Sequence, residues 1–122
     1  MRNKQEVQAI APEPSHIMKL SRQVFKAYRQ PCVYLVFKGA EALYVGYSAH
    51  GLKRVFTAPT IEGKRIAAFA EGDNVEVLFY TTIKDASLAE AFYIHFLHPR
   101  QNSYCPSCSF YPKTMPPKFE FN

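Results

Sequence analysis

The sequence predicts an α+β fold in which helices flank a three-stranded antiparallel sheet. Two runs rich in β-forming residues, 32–37 and 43–47, are separated by a short link that contains Gly39, as is typical of an antiparallel hairpin. A third such run spans 74–82, and it alternates before it becomes apolar. With 122 residues, 48% of them apolar, the chain is long enough for one packed domain.

The helices are predicted from periodicity and from residues that start or stop a helix. Residues 16–29 place apolar and basic side chains on opposite sides of a helical wheel, so they predict an amphipathic helix that Pro31 stops. An irregular lead-in over 1–15 precedes it. Short helices are predicted at 50–56 and 63–71. Asp85 is the predicted N-cap of a last helix that runs to about residue 97 and ends before Pro99.

The chain is divided into a basic extension, 1–30, a domain, 31–104, and a proline-rich tail, 105–122. Six Lys and Arg against two acids make the extension the main source of the net charge of +5, which favours a polyanionic partner. No apolar run approaches the ~20 residues of a membrane span, and the start lacks the apolar stretch of a signal peptide. We therefore expect a cytoplasmic protein without a membrane partner.

Three cysteines give no disulfide framework, so we expect them to be reduced. Cys105 and Cys108 form half of a zinc-ribbon signature, but a second cysteine pair is missing. A zinc site there would need His95, His98 or a second subunit, and a plain tail is the alternative.

Two charged residues stand out as candidates for chemistry. Glu90 is the only Asp, Glu, Lys or Arg between 86 and 97, and it shares a helix face with Tyr93, Ile94 and Leu97. A carboxylate on a face expected to be buried requires an internal cation from the protein or a bound metal ion. Arg54 either is solvated on a short surface helix or holds a phosphate through its planar fork of donors.

Two tyrosines, Tyr34 and Tyr44, lie ten residues apart, one on each strand of the predicted hairpin. Each alone is compatible with simple packing, because tyrosine is common in strands. Gly46 indicates either a bulge or a place where a ligand approaches the backbone.

Taken together, these residues resemble the motifs of the GIY-YIG nuclease family. The first tripeptide ends in Val33-Tyr34, the second is Tyr44-Val45-Gly46, and Ser48 follows at a family position. Arg54 follows Tyr44 by ten residues, which is the spacing of the family's active-site arginine. The closing pattern of the family is matched by Glu90, Ile94, Pro99 and Asn102, and it is similar to the excision-repair branch found in bacteria. The resemblance covers residues 32–104.

The resemblance implies a GIY-YIG-type domain that hydrolyses DNA phosphodiester bonds as a metal-dependent endonuclease. It assigns Glu90 as the ligand of one Mg²⁺ or Mn²⁺, Arg54 as the group that holds the scissile phosphate, and Tyr34 and Tyr44 as the residues that activate and orient water. A phenol with a pKa near ~10 needs nearby cations to act as a base.

Further substrate contacts are expected around this centre. Gly46, Ser48 and Lys53 lie next to the motif residues in the chain, and Asn102 either ties the chain after the helix or touches the substrate. The basic side of the predicted N-terminal helix is a candidate for phosphate contacts or for plain solvation. Its members are Lys19, Arg22, Lys26 and Arg29.

The chain also departs from the family pattern. Cys32 replaces the leading glycine, and Ala58 stands where many members have histidine or tyrosine. His50, His95 or His98 are the candidates to replace that side chain. Ala58 motivates a rival reading, a catalytically inactive nucleic-acid-binding module on the same fold. A third reading is a small interaction protein whose aromatic residues all lie in its core. We expect no separate targeting domain, so a nuclease would act on DNA structure, rely on a protein partner or bind DNA weakly.

Overall fold

The computed structural model describes residues 3–20, 29–51 and 68–102. These residues form helix α1 (Lys4–Ile10), strands β1 (His16–Lys19), β2 (Cys32–Lys38), β3 (Glu41–Ser48) and β4 (Asn74–Phe79), and helix α2 (Ile83–Leu97). Residues 68–71 are also helical. The predicted α+β class is confirmed, and β2, β3 and β4 are the three predicted strands.

The sheet contains a fourth strand that the sequence analysis missed. The strand order is β1-β4-β2-β3, and every neighbouring pair is antiparallel. The predicted helix over 16–29 is wrong at its start, because His16–Lys19 pairs with β4 instead. Residues 20, 29 and 30 are not helical either, and 21–28 lie outside the described residues. A backbone ladder with β4 outweighs the weak helical preference of so short a segment.

The predicted irregular lead-in over 1–15 is also wrong, because it contains α1. Asn3 accepts a hydrogen bond from the Glu6 backbone N–H, and the Glu6 side chain accepts one from the Asn3 backbone, which makes a capping box. Val7 is fully buried against the rest of the core. The extension therefore contributes to the fold, while the boundary at residue 30 stays a prediction.

The ends of α2 are set by a hydroxyl and by a left-handed residue. Thr82, and not the predicted Asp85, is the N-cap, since its side chain accepts from the Asp85 backbone N–H at 3.1 Å. Asp85 lies in the first turn, where its charge favours the helix dipole. At the other end His98 adopts φ 49°, and Pro99 follows as predicted.

The predicted helices at 50–56 and 63–71 are described only in part. His50 forms a turn, and residues 52–67 lie outside the described part of the chain. Residues 68–71 are helical, in agreement with the second prediction. Across the three described ranges no helix is long and apolar enough to cross a membrane.

The two faces of the sheet are covered differently. We call one the helix face, because α2 and Val7 of α1 pack on it; its strand residues include Val33, Leu35, Val45 and Leu78. We call the other the tyrosine face; its members include Cys32, Tyr34, Val36, Val77 and Phe79. Because side chains alternate along a strand, neighbouring residues of β2 belong to different faces. Residues 32–37 are all buried, as expected for a strand covered on both sides.

Gly46 allows the close packing at the centre of the tyrosine face. It is the register partner of Tyr34, and the tyrosine ring lies over its backbone. A Cβ atom at position 46 would lie 2.0 Å from Tyr34 Cζ, well inside van der Waals contact. The glycine of the second tripeptide is therefore required by the ring of the first.

The chain that leaves α2 runs along β3 and hydrogen-bonds to it. The Arg100 and Gln101 backbone N–H groups donate to the carbonyls of Ala42 and Leu43. The Asn102 side chain then accepts from the Val45 N–H and donates to the Val45 carbonyl, both at 3.0 Å. Residues 100–102 thus complete the hydrogen bonding of β3 up to Val45.

Replacing Gly46 with alanine is expected to destabilise the protein by about 1–3 kcal/mol, because the Tyr34 ring must leave its rotamer or move. Chemical denaturation measures the loss. In a Tyr34→Leu background the clashing ring atoms are absent, so the same substitution should cost much less. Equal costs in both backgrounds would contradict this account of Gly46.

Asn102→Ala is expected to lower the free energy of unfolding by about 1–3 kcal/mol, since it leaves both backbone groups of Val45 without their partner. The neighbouring Gln101→Ala removes one hydrogen bond to Glu71 and serves as the control, with a smaller expected loss. A variant of Asn102 that keeps full stability but loses DNA affinity would instead support the substrate-contact role.

Candidate active site

Tyr34 and Tyr44 are brought together on the tyrosine face. Their ring centroids lie 6.2 Å apart with an interplanar angle of 30°. The Phe69 ring also stacks on Tyr34, with the two centroids 5.8 Å apart. Tyr34 is only 2% exposed, whereas Tyr44 is half-buried. The two motif tyrosines therefore form one aromatic cluster, of which Tyr44 is the more accessible member.

Ser48 organises the turn at the end of β3. Its hydroxyl donates to the Gly51 carbonyl at 2.7 Å and accepts from the His50 N–H at 3.4 Å. The donor hydrogen of Ser48 is thus used inside the protein, in the turn that follows β3. The positions of Lys53, Arg54 and Ala58 lie outside the described residues.

Glu90 is half-buried on α2, the helix that covers the helix face. Burial raises the pKa of its carboxyl to about 7, because the charged form loses hydration. Within residues 3–20, 29–51 and 68–102, no Lys, Arg or His forms an ion pair with it. Glu76 of β4 offers a contrast, since Lys4 Nζ lies 2.6 Å from its Oε1. Glu90 is thus suited to bind a cation that the described residues do not supply.

Tyr47 lies on the helix face of β3 and is not among the residues that the sequence singles out. It packs half-buried against the cluster of the helix face. The pKa of its phenol is raised, and burial is the largest cause. The negative charges of Glu90 and, to a smaller extent, Cys32 raise this pKa further. The position of Tyr47 one residue after the second tripeptide was the available signal, but its face depends on the register of β3.

Only part of the predicted site comes together in the described structure. Tyr34 and Tyr44 share one face, and Glu90 lies on the helix that covers the other. β3 is an edge strand of the sheet, and it ends at Ser48. Arg54 lies beyond this end in the chain, and its contact with the tyrosines or Glu90 stays a prediction.

The predicted basic contacts are spread more widely. Lys19 is exposed on β1, at the sheet edge opposite to β3. With strands spaced about 4.8 Å apart, it lies roughly 10 Å from the line of β2. Arg29 is exposed before β2, while Arg22 and Lys26 lie outside the described residues. The structure therefore does not bring Lys19 to the tyrosine pair, and the other contacts stay predictions.

The three candidate histidines lie at two places. His50 is exposed in the turn after β3. His95 and His98 neighbour one another at the end of α2, with ring centroids 6.3 Å apart. His95 is about 140° around the helix from Glu90. His50 is therefore the one that the chain places near the Ser48 turn, and Cys105 and Cys108 lie outside the described residues.

A divalent metal fits the donor set around Glu90. Among the described residues no group of three or more His, Cys, Asp or Glu is arranged to bind a metal. Mg²⁺ does not need such a group, because it keeps several waters and is often held by one or two carboxylates together with substrate phosphate. A half-buried carboxylate without an ion-pair partner in the described ranges meets this requirement.

Comparison with known proteins supports the fold. Neither a scan against protein-family models nor a search among curated proteins returned a match. Among solved structures, the chain is similar to the GIY-YIG N-terminal endonuclease domain of UvrC from Thermotoga maritima bound to its catalytic divalent cation, magnesium. The two are 21% identical with a TM-score of 0.56, and the match covers 66% of this chain and 92% of that one.

Two point mutants of the same Thermotoga maritima domain, each bound to its catalytic divalent cation, are similarly close. One has an asparagine changed to alanine and the other a tyrosine changed to phenylalanine. Both are 20% identical to this chain with a TM-score of 0.57, over 68% of this chain and 93% of that one. The chain therefore has the fold of a GIY-YIG endonuclease domain.

Proposed function

We propose that this protein is an endonuclease that hydrolyses DNA phosphodiester bonds with one Mg²⁺ or Mn²⁺. The observation that carries the proposal is the half-buried Glu90 carboxylate, which has no ion-pair partner in the described ranges of a GIY-YIG fold. Its burial raises the energy of its charged form, and a bound cation offsets that cost. The similar Thermotoga maritima domain, an endonuclease bound to a catalytic divalent cation, supports the same assignment.

The proposed roles follow from what the hydrolysis requires. Glu90 holds the metal, which when bound supplies charge neutralisation at the scissile phosphate and at the leaving oxygen. Arg54 binds the phosphate through its planar donors and favours the more negative transition state. Tyr34, as the phenolate that Arg54 and a bound metal would stabilise, takes a proton from the attacking water. Tyr44, the more accessible ring, orients that water or the phosphate.

The charge distribution supports binding of DNA outside the described core. Residues 3–20, 29–51 and 68–102 contain six Lys and Arg against eight Asp and Glu, whereas the remainder contains nine against two. The positive surplus of the chain therefore lies in the remaining segments, which contain Arg22, Lys26, Lys53 and Arg54. We propose that these residues and Arg29 contact the phosphate backbone, in a manner that weakens as salt is added. We also propose that a protein partner directs the enzyme to its DNA and that the protein is located in the cytoplasm.

A catalytically inactive nucleic-acid-binding module is the second candidate, and Ala58 favours it. A histidine or tyrosine at that position would supply a polar group four residues after Arg54, and alanine supplies none. This candidate differs from the first by binding DNA without a metal and leaving the strands intact.

The cleavage test compares supercoiled plasmid and branched oligonucleotide DNA in Mg²⁺, Mn²⁺ or EDTA. We expect nicking that requires the metal, that falls roughly 100-fold or more in Arg54→Ala, and that is lost in Glu90→Ala. Glu13→Ala and Lys84→Ala, which remove exposed charges without a proposed role, serve as controls and should cleave normally. Cleavage that survives both active-site substitutions would reveal a contaminant. Salt-sensitive binding without cleavage would favour the inactive module.

The stability of the metal-free protein tests the state of Glu90. Its folded pKa of about 7 lies above the ordinary value of 4.5. Below pH 4.5 the carboxyl is protonated in both the folded and the unfolded state, so it does not lower the free energy of unfolding there. It destabilises the fold increasingly as pH rises from about 4.5 to 7, and fully above that. In EDTA at pH 8.5, Glu90→Gln is therefore expected to melt at a higher temperature than wild type, with a smaller difference at pH 5.

Metal addition completes this stability test. Mg²⁺ or Mn²⁺ should raise the melting temperature of wild type at pH 8.5 and leave Glu90→Gln unchanged, because only the carboxylate holds the ion. If Glu90→Gln is instead less stable than wild type at every pH, a cation of the protein already neutralises Glu90. That result would support the internal ion pair and would remove the argument for metal binding.

A further inference from the structure

The Tyr34 ring is packed against neighbours from two parts of the chain. Gly46 of β3 lies so close that a Cβ atom there would be 2.0 Å from Tyr34 Cζ. The rings of Tyr44 and Phe69 both stack on Tyr34 at interplanar angles of 30°, with centroids 6.2 and 5.8 Å away. Both distances lie in the range of favourable aromatic pairs. The orientation of the Tyr34 ring is therefore set by contacts from β3 and from the short helical stretch that carries Phe69.

That helical stretch is itself fixed to the domain. A Cβ atom at Gly72 would lie 2.5 Å from Val36 Cγ1, so the chain just after Phe69 packs closely on β2. On the other side, Gln101 Nε2 donates to Glu71 Oε1 at 2.8 Å, which ties the stretch to the chain that follows α2. Phe69 is thus presented to Tyr34 by a backbone that is anchored at two points.

We propose that Phe69 is a positioning residue, whose ring holds the Tyr34 ring in the orientation from which its oxygen takes a proton from the attacking water. This inference rests on the proposed role of Tyr34. A base must lie within hydrogen-bond reach of the proton it removes, and a misplacement of about 1 Å can lower a rate by roughly 100-fold. Tyr34 can turn about its side-chain torsions, and packing against a fixed ring restricts them.

This role makes a specific demand on the reaction. The phenyl ring of Phe69 has no group that exchanges a proton or binds a metal ion. Its loss should therefore slow the chemical step and leave the affinity for DNA and the requirement for metal unchanged. The loss should also matter only while Tyr34 keeps its hydroxyl, because Tyr34→Phe removes the oxygen that is to be positioned.

Phe96 offers a matched control on the opposite face of the sheet. Its ring centroid also lies 5.8 Å from that of an aromatic neighbour, Phe92, and both belong to the cluster of the helix face. Phe96→Leu therefore removes a ring contact of the same length without touching Tyr34.

The experiment is a double-mutant cycle in single-turnover nicking of supercoiled plasmid by the full chain with Mg²⁺. Wild type, Phe69→Leu, Tyr34→Phe and the double variant are compared with Phe96→Leu, at a temperature at which thermal melts show each to be folded. We expect Phe69→Leu to lower the maximal rate roughly 10-fold or more, at unchanged half-saturating concentrations of DNA and Mg²⁺. Phe96→Leu should cleave as wild type does. In the Tyr34→Phe background, Phe69→Leu should change the residual rate by less than about twofold.

The outcomes separate this inference from the proposed function. An equal rate loss in both backgrounds, or an equal loss in Phe96→Leu, would overturn the positioning role. A loss of DNA affinity alone would indicate that the Phe69 ring stacks on a base, and it would overturn the role as well. If Tyr34→Phe cleaves as fast as wild type, the proposed base is wrong and the role of Phe69 is overturned with it, while the metal-dependent cleavage stands. No cleavage by wild type would overturn the proposed function and this role together.

A second measurement does not depend on residual cleavage. In protein labelled with ¹³C at the tyrosine ε carbons, the signals of Tyr34 are those that Tyr34→Phe lacks. We expect separate signals from the two ε carbons in wild type, because a tightly packed ring turns over slowly, and a single averaged signal in Phe69→Leu. Identical Tyr34 signals in the two proteins would show that Phe69 does not hold the ring and would overturn the role.

Discussion

β2 is hydrogen-bonded along both of its edges, to β3 on one side and to β4 on the other. Because its faces are also covered, residues 32–37 have almost no contact with solvent. Strand alternation then sends Tyr34 to the tyrosine face and Val33 to the helix face. A shift of the register by one residue would exchange the two sets, so the whole site depends on this pairing.

The pairing of β2 with β3 decides the roles of the second motif. Register places Gly46 under the ring of Tyr34 and Tyr47 opposite Val33. The same strand therefore supports the aromatic cluster on one face and approaches α2 on the other. Residues 100–102 hydrogen-bond to β3 between Ala42 and Val45, so the chain that follows α2 also fixes the position of the strand.

Two half-buried carboxylates show how burial distinguishes structural from functional charge. Glu76 is neutralised by Lys4, and this ion pair ties α1 to the sheet. Glu90 has no counterpart of this kind within the described residues, and burial raises its pKa to about 7. An ion pair within the protein neutralises the first carboxylate, whereas no described cation neutralises the second. The proposed metal site is therefore placed at this second carboxylate.

The sequence by itself determined β2, β3, β4 and α2, because long apolar runs bounded by glycine and proline specify an element locally. The motif spacing also determined the GIY-YIG fold, and Glu90 was conspicuous as a lone charge on an apolar helix. Only the tertiary structure decided that 16–19 form a strand, since four residues carry little periodicity and their partner β4 is distant in the chain. It likewise decided that Asn102 binds Val45 and that Tyr47 faces α2, because strand register and helix packing join residues that no local pattern relates.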